Sequence, residues 1–452
     1  MSARYRLVLF ILIVLSISLA FPLTLMGNPD DVTAVETELL KKASDNIEKF
    51  RKGDAVIVFR DKEGRPVQNL NVEITQETHD FMFGSMIFGL VNLWGGETRD
   101  AERYKQRFKE LFNFAELPFY WRRYESTPGM TQWERLLPVI NWCQENGITT
   151  KGHPLAWTNP SGVPDWIYDF PVPLAEELLK ARIINVVKGF KGKVDEWDVV
   201  NEAIHTRTWN HRDVKFAIKE PIQDAADYCE KCFRWAYTAN PEGRLILNEF
   251  QQIMSMTMRQ RFYDLVKELK ERGTPITGIG IQAHEPWDCW FPPKELWDTY
   301  DTYTEFGYPI HITEYMPQSS GKEITGGWRK GVWTEENQAD FAEQFYRLSF
   351  GHPAIASICW MGLSDSRIYL PGGGVVDENY RPKPVFNRLK KLIHEEWKTI
   401  LSTTTSNEGT ITFRGFYGKH NIVITNNEGK IEKFEIHLRK NEENKWVFTV
   451  KE

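Results

Sequence analysis

The 452-residue sequence has few cysteines, no excess of basic residues and, beyond its N-terminus, no long apolar run. Its five cysteines are an odd number, which argues against a fold held together by disulfides. The net charge of −6 provides no general basic excess of the kind typical of nucleic-acid binding, so no nucleic-acid partner is expected. No internal repeat is visible, and no later segment is apolar enough to span a membrane.

The N-terminus has the form of an export signal. Arg4 and Arg6 precede an apolar run over residues 7–20, which contains the small residues Ser18 and Ala20 at a plausible cleavage site. If it is not cleaved, the run continues to residue 26 and is just long enough to anchor in a bilayer. Residues 1–26 therefore predict a secreted or extracytoplasmic protein, with membrane anchoring by residues 7–26 as the alternative form.

Cys229 and Cys232 form a C-x-x-C pair in the stretch DYCEKCFRWAY. This spacing occurs in redox sites and in halves of zinc sites. No second C-x-x-C follows, and the stretch has the periodicity of an amphipathic helix. Two thiols that pack on a helix are the preferred interpretation.

The chain divides into three predicted parts behind the signal. Residues 30–82 predict a helix, over residues 34–50, and a small β unit. Residues 83–398 form the main body. Residues 402–452 begin with the polar run STTTSNEGT and predict a separate small β module. The two terminal units are expected to cap the main body or space it from a membrane, with polysaccharide binding as the alternative.

The main body alternates apolar strands with amphipathic helices. The eight predicted strands are 83–89, 112–120, 149–157, 194–202, 244–250, 276–284, 309–316 and 355–365. Helical stretches such as WERLLPVINWCQENG and TEENQADFAEQFYRLSFG lie between them. This alternation predicts an α/β fold, a (β/α)₈ TIM barrel with small β-rich additions at both ends.

Polar and aromatic residues follow at the ends of these strands. In a (β/α)₈ barrel the C-terminal ends of the strands meet at one face, which is where active sites form. The residues so placed are His153, Trp157, Asn201, Glu202, Asn248, Gln282, His284, Glu314 and Trp360.

Glu202 and Glu314 are the two carboxylates of this set. Cleavage of a glycosidic bond needs one protonated carboxyl group for the leaving oxygen and one ionised group for the charge that grows at the anomeric carbon. Trp157 and Trp360 are expected to stack against sugar faces, in a sequence that contains 17 tryptophans. The set therefore predicts a carbohydrate-cleaving site.

A metal site is the chemical alternative, since His153, Glu202, His284 and Glu314 are all possible ligands. Barrel metallohydrolases commonly carry an H-x-H on the first strand, and the first strand here, FGSMIFG, has no histidine. The metal interpretation is not favoured, and no cofactor is expected.

With these motifs in place, the sequence resembles family 10 of the glycoside hydrolases, the retaining endo-β-1,4-xylanase family. The motifs that carry the resemblance are KGHPLAW, WDVVNE, GIGIQAH, IHITE and the ending GLSD…RPKPVFNRLKKLI, in that order along residues 83–396. The resemblance implies a (β/α)₈ barrel that acts on a β-linked polysaccharide or oligosaccharide without a cofactor.

The resemblance also implies roles for individual residues. Glu202 would be the general acid/base and Glu314 the nucleophile, while Asn201 would meet the 2-hydroxyl of the sugar next to the cut. The further residues implied to line this subsite are His153, Trp157, Gln282 and His284.

The sequence departs from the family pattern after the second strand. Pro118 and Phe119 stand where an acidic residue and an Asn are expected, and Arg122 stands where a Lys is expected. Two sugar contacts are therefore expected to be missing, unless Arg122 and Tyr120 substitute for them with a different geometry. Since a hydrogen bond to a charged group contributes about 1.5–3 kcal/mol, the preferred sugar could differ from xylose.

Two further departures lie near the predicted site. Met316 replaces an Asp that would orient a neighbouring His, so His284 is expected to be less readily protonated. Thr158 stands where a His often follows the Trp. Two other functions stay open: the same chemistry on another β-glycoside, and a barrel that binds carbohydrate without cleaving it.

Overall fold

A computed structural model describes residues 29–93, 98–205, 222–366, 368–425 and 429–451. The predicted signal or anchor, residues 1–26, lies outside the described residues. Within the described ranges, no helix combines the length and the apolar character needed to cross a membrane.

Sixteen strands are found in the described residues. In chain order they are β1 (Lys52–Arg60), β2 (Asn71–Gln76), β3 (Met82–Met86), β4 (Phe114–Pro118), β5 (Thr149–His153), β6 (Ala156–Trp157), β7 (Glu196–Asn201), β8 (Arg244–Glu249), β9 (Gly278–Ile281), β10 (Ile310–Tyr315), β11 (Ile355–Trp360), β12 (Ile400–Thr404), β13 (Thr410–Phe416), β14 (Gly418–Thr425), β15 (Ile431–Leu438) and β16 (Lys445–Thr449).

Eleven α-helices accompany them in the same ranges. They are α1 (Pro29–Phe50), α2 (Phe88–Asn92), α3 (Arg99–Lys109), α4 (Trp121–Tyr124), α5 (Trp133–Glu145), α6 (Val172–Gly189), α7 (Ile222–Ala239), α8 (Met256–Glu271), α9 (Pro293–Thr304), α10 (Glu335–Gly351) and α11 (Pro384–Lys391).

Strands β3 to β11 form one closed parallel sheet. Its order is β5-β4-β3-β11-β10-β9-β8-β7-β6, and an additional pairing of β5 with β7 closes the ring. The eight predicted barrel strands are confirmed, with β5 and β6 as two parts of the third. All of the strand ends predicted to carry site residues therefore point to one face.

Two glycines allow large side chains into the barrel interior. A Cβ added at Gly152 would lie 2.1 Å from the indole of Trp197, so only glycine leaves room for that buried ring. A Cβ added at Gly280 would lie 2.4 Å from Asn248 Oδ1. Gly280 thus leaves the space in which the amide of Asn248 reaches the site.

The two terminal β regions, predicted as separate units, form a single two-sheet module. One sheet has the order β13-β1-β16 and the other β12-β2-β14-β15, so each contains strands from both ends of the chain. Ile57, Val72, Ile74, Ile422 and Ile436 are buried in the shared core between them. The pattern of each segment predicts strands, but short amphipathic strands bury their apolar face only by pairing with a partner, which here is distant in sequence.

The β module packs at the N-terminal face of the barrel, away from the predicted site. Arg51, directly before β1, donates to the carbonyls of Phe350, His352 and Ile355 at 2.6–2.8 Å, and Ile355 is the first residue of β11. The predicted N-terminal helix is α1, which packs against α10. The capping or spacing role of the terminal units stays a prediction.

The cysteines have the structural role predicted for the C-x-x-C pair. Cys229 and Cys232 lie on α7 and are fully buried. All five thiols are buried and free of disulfides.

Candidate active site

A cleft of about 810 Å³ opens at the C-terminal face of the barrel. Seven of the nine residues proposed for the site from the sequence line it: His153, Trp157, Asn201, Glu202, Gln282, His284 and Glu314. Tyr369, which is 57% exposed, stands at the rim with its ring 6.3 Å from that of His284. The aromatic and carboxylate groups predicted for sugar binding therefore share one cavity.

Glu202 lies directly after β7 in a strained backbone conformation, with φ of 59°. Its amide donates to the carbonyl of Asn248 at 2.9 Å, which holds this turn against β8. Its carboxylate accepts from Trp157 Nε1 at 2.8 Å, and from the side-chain amides of Asn201 and Gln282 at 3.2 Å each. These donors hold the carboxylate toward the cleft.

Glu314 lies within β10 and is 4% exposed. Its Oε1 accepts from Asn248 Nδ2 at 2.9 Å, and the same amide donates to Asn201 Oδ1 at 2.8 Å. Thr313 donates to Asn248 Oδ1 at 2.7 Å, which fixes the orientation of the amide. Asn201 and Asn248 thus connect the two carboxylates through side-chain hydrogen bonds.

Burial raises the pKa of Glu314 to about 8, against the lowering effect of His153. The carboxylates of Glu116, Glu202 and Asp198 raise it further. Ionisation of Glu314 therefore depends on the positive charge around it.

His284 lies beside Glu314 but is directed to another partner. Its Nε2 lies 3.7 Å from Glu314 Oε2 and only 2.7 Å from Gln282 Oε1. Because an amide oxygen only accepts, Nε2 carries the proton, while Nδ1 has no hydrogen-bond partner in another described residue. Burial lowers the pKa of His284 to about 4, in the direction expected from Met316 in place of an Asp.

His153 occupies the other side of Glu314, with Nε2 3.8 Å from Oε1. Its Nδ1 lies 2.7 Å from Asp198 Oδ2. Burial by itself would lower the pKa of His153, but the carboxylates of Glu116, Glu314 and Asp198 outweigh it and raise the pKa to about 9. These carboxylates therefore favour the protonated form of His153.

A buried ion cluster lies below His153 inside the barrel. Lys151 Nζ lies 2.8 Å from Asp198 Oδ2 and 2.6 Å from Glu116 Oε2, and all three side chains are at most 1% exposed. Burial opposes the charge of Lys151, yet Asp198 and Glu116 raise its pKa. Lys151 and His153 lower the pKa of Asp198 in spite of its burial, so Asp198 stays ionised.

The structure offers no support for the metal alternative in the described residues. The group of possible ligands that lie close enough together there is Glu116, His153 and Asp198. The ammonium of Lys151 already lies between its two carboxylates, and a protonated His153 cannot ligate. A metal cation would have to displace one positive charge and deprotonate another.

The structure places Trp360 and Arg122 away from the cleft, contrary to their predicted role. Trp360 is 0% exposed, and its indole donates to the carbonyl of Gly373 at 2.8 Å. Arg122 donates to the carbonyl of Pro160 and to Asp165 Oδ2, both at 2.8 Å, and so holds a loop instead of facing a sugar. Successive side chains of a strand point to opposite faces, which explains why Trp360 points into the core although it lies at the end of β11.

Tyr120 and Arg123 are the residues after the second strand that line the cleft. The ring of Tyr120 lies 5.3 Å from that of His153 and 5.7 Å from that of Trp157. Phe119 is fully buried against Trp197, so it offers no group to a sugar. Of the two substitutes considered from the sequence, the structure favours Tyr120 over Arg122.

Sequence reasoning missed Glu116, Lys151 and Asp198 as parts of the site. A signal was present, because Lys151 and His153 are two residues apart on one strand and must share a face. Charged residues inside apolar strands therefore indicated a polar barrel interior beneath the rim. Their pairing across three strands was not readable, since it depends on barrel closure.

Comparison with known proteins agrees with this geometry. A family model described as glycosyl hydrolase family 10 matches residues 85–392. Xylanase 10B from Thermotoga petrophila, solved in complex with xylobiose, superimposes with a TM-score of 0.58 and 25% identity, over 70% of this chain and 95% of that one.

Curated relatives are similar over different shares of their length. Endo-1,4-beta-xylanase B from Thermotoga neapolitana is 27% identical over 330 residues, which is 68% of this chain and 87% of that protein. The anti-sigma-I factor RsgI6 from Acetivibrio thermocellus is 26% identical over 393 residues, or 85% of this chain, and the chain spans 46% of its length. Because the family model covers more than half of the chain and includes both cleft carboxylates, the chain belongs to glycosyl hydrolase family 10.

Proposed function

We propose that this chain is a retaining β-glycosidase that cleaves β-1,4-linked xylan or its fragments. The observation that carries the proposal is the pair Glu202 and Glu314 in one open cleft, joined by hydrogen bonds through Asn201 and Asn248. Family membership and the xylanases among the relatives support the substrate class.

In the proposed mechanism Glu314 attacks the anomeric carbon while Glu202 protonates the oxygen of the leaving sugar. The glycosidic bond breaks, and a covalent ester joins the sugar to Glu314. Glu202, now ionised, takes a proton from water, which attacks the same carbon and releases Glu314. Two inversions leave the anomeric configuration unchanged. Asn201 is placed next to Glu202 to bond the 2-hydroxyl of the sugar.

The test is hydrolysis of aryl β-glycosides by wild type, Glu314→Ala and Glu202→Ala, with the anomer of the first product followed by NMR. We expect turnover of the xylobioside with a β-anomer product, and loss of turnover in Glu314→Ala. Glu395→Ala, an exposed carboxylate on the far side of the barrel, is the matched control and should keep full activity. An α-anomer product would contradict the covalent mechanism.

A different glycon is the second candidate, favoured by the second strand. Phe119 is buried and Arg122 is held by Asp165, so this stretch contributes Tyr120 and Arg123 to the cleft in place of the family's usual residues. Including cellobioside, glucoside and galactoside in the panel decides this, since turnover of one of them ahead of the xylosides would reassign the substrate.

A barrel that binds sugar without cleaving it is the third candidate. Its support is the similarity to an anti-sigma factor across 85% of this chain, more than the barrel alone. If Glu202→Ala loses sugar binding and the folded wild type turns over no glycoside, this candidate replaces the enzyme.

Export of the chain through residues 1–26 belongs to the same proposal. Arg4 and Arg6 followed by an apolar run support it. Fractionation of cells that express the full chain, with N-terminal sequencing of the product, distinguishes a cleaved secreted form from an anchored one. Recovery of the uncleaved chain in the cytoplasm would contradict export.

A further inference from the structure

Glu314 faces two histidines at nearly equal distances, 3.8 Å for His153 and 3.7 Å for His284. The titratable groups around Glu314 and His153 are Glu116, Tyr120, Lys151, Asp198, Glu202, His284, Cys359 and Tyr369. Three carboxyl groups, those of Glu116, Asp198 and Glu314, lie within 4 Å of Lys151 or His153, the two side chains here that can be cationic. The position of each proton therefore matters for the charge on Glu314.

The hydrogen bonds of His153 determine what it presents to Glu314. Asp198 Oδ2 lies 2.7 Å from Nδ1 and can only accept, so Nδ1 carries a proton. A neutral ring would then direct the lone pair of Nε2 at a carboxylate oxygen 3.8 Å away. A second proton on Nε2 converts that repulsion into an attraction between opposite charges.

The opposite holds for His284. Its Nε2 proton is donated to Gln282 Oε1 at 2.7 Å, and no carboxylate follows Glu314 in the sequence to hold Nδ1, because residue 316 is Met. Apart from Glu314 itself, 3.7 Å from Nε2, no carboxylate of the described residues is paired with this buried ring. His284 therefore orients Gln282, whose amide contacts Asn201 and Glu202, and does not supply a cation.

We propose that Asp198 is a positioning residue that holds a cationic His153 against Glu314, so that His153, and not His284, supplies the charge on which ionisation of the nucleophile depends. The inference rests on the proposed role of Glu314 as nucleophile. Lys151 completes the arrangement, because its ammonium lies 2.8 Å from the same Oδ2 and keeps Asp198 ionised in a buried place.

The shifts of the two groups agree with this geometry. The pKa of Glu314, raised by burial to about 8, lies below that of His153, which its carboxylate neighbours raise to about 9. We therefore expect Glu314 to ionise, as the pH rises, while His153 still carries its charge. Protonated His153 lowers the pKa of Glu314 by more than the carboxylate of Asp198 raises it.

The sign of the expected change follows from these contacts. Asp198→Asn removes the carboxylate that stabilises the second proton of His153, so the pKa of His153 falls. Glu314 then loses its cation, its pKa rises, and the acidic limb of kcat/KM, which reports a group that must be ionised in the free enzyme, moves to higher pH. We expect a shift of about one pH unit or more, the usual effect of one close charge.

The experiment combines pH profiles with NMR on the full chain. Wild type, Asp198→Asn and the control Asp195→Asn are compared for kcat/KM on an aryl β-xylobioside, for ¹⁵N shifts of the His153 ring and for the ¹³C carboxyl shift of Glu314. Asp195 lies directly before β7 and contacts Gly192 and Asn240, not His153. We expect Asp195→Asn to leave all three readouts unchanged.

A neutral His153 at pH 7 in wild type would overturn the proposal. An unmoved acidic limb in Asp198→Asn, with a lowered pKa of His153, would overturn it as well. If Asp198→Asn does not fold, the wild-type order of titration decides: Glu314 before His153 supports the proposal, and the reverse order refutes it. The NMR readouts do not depend on turnover. An inactive wild type would therefore refute the proposed function, while the NMR data would still decide whether His153 carries the charge beside Glu314.

Discussion

The two sides of Glu314 carry the same residue type at the same distance and yet differ in charge. His153, on β5, donates to a buried carboxylate that is itself held by Lys151. His284, after β9, donates to a neutral amide and has an unpartnered second nitrogen within the described residues. The pKa is raised on the first side and lowered on the second.

The comparison shows that proximity to a carboxylate does not decide the charge of a histidine. Both rings are buried, so burial favours the neutral form of each. The groups on the far side of each ring make the difference, since the carboxylates of Glu116 and Asp198 favour a cation at His153, whereas the amide of Gln282 does not at His284. With Met316 in place of the family's Asp, the cation that we propose beside Glu314 comes from the other side of the barrel.

The largest expected effect is a loss of stability when Lys151, which lies on the His153 side of Glu314, is replaced. Lys151→Met leaves Asp198 and Glu116 buried without their ammonium, and removal of one partner from a buried ion pair costs about 3–5 kcal/mol. Urea unfolding should show this loss of stability. Arg122→Met, which removes a largely solvated ion pair with Asp165, is the control and should cost less than about 1 kcal/mol. Equal losses would contradict the importance of the buried cluster.

The pH dependence of stability separates the two histidines. The pKa of His153 is raised from 6.5 to about 9, so its contribution is fully present below pH 6.5 and is lost as the pH rises to about 9, roughly 3 kcal/mol in all. The pKa of His284 is lowered to about 4, so its penalty appears as the pH falls from 6.5 to about 4.

We therefore expect His153→Gln to flatten the alkaline decline of the unfolding free energy, and His284→Gln to flatten the acidic one. Denaturant unfolding between pH 4 and pH 9 measures both. If the two variants change the same limb, the opposite charges of the two sides are refuted.

Met316→Asp would make the neutral side resemble the charged one. A carboxylate at residue 316, where the family carries an Asp, should raise the pKa of His284 and move the acidic limb of kcat/KM down by about one pH unit. Met316→Asn is the matched control without charge. If Asn moves the limb as far as Asp does, the effect comes from packing and not from charge.

The smallest effect is expected at Tyr120, which touches the charged side through the ring of His153. Tyr120→Phe removes one hydroxyl from the cleft, which corresponds to about 0.5–1.5 kcal/mol, or about tenfold at most in kcat/KM for a xylobioside. Tyr237→Phe, on the outer helix α7, should change nothing. A loss as large as that of Glu314→Ala would make Tyr120 part of the chemistry.

Prediction from sequence succeeded where the signal is local. Alternating apolar strands and helices identified all eight barrel strands, and the polar residues after them identified seven residues of the cleft. Prediction failed where a shift of one residue along the chain decides whether a side chain faces the cleft. Trp360 ends β11 yet points into the core, and Arg122 follows β4 yet turns to Asp165.

Contacts between distant segments were also beyond local reasoning. The strands before the barrel pair with those after it, as β1 with β13 and β2 with β14, although each segment by itself predicted a small separate unit. The ion cluster likewise joins β4, β5 and β7. The periodicity of a strand does not reveal which strand it pairs with, and the sequence around a buried charge does not reveal which residue pairs with it.

The sequence alone determined the barrel, the two carboxylates at its rim and the departures from the family after the second and seventh strands, because strand period and strand ends are local properties of the chain. Only the tertiary structure decided which histidine is charged, that Tyr120 faces the cleft, and that both ends of the chain form one β module. The physical reason is that burial, charge pairing and sheet pairing are set by neighbours in space, which closure of the barrel brings together from distant parts of the sequence.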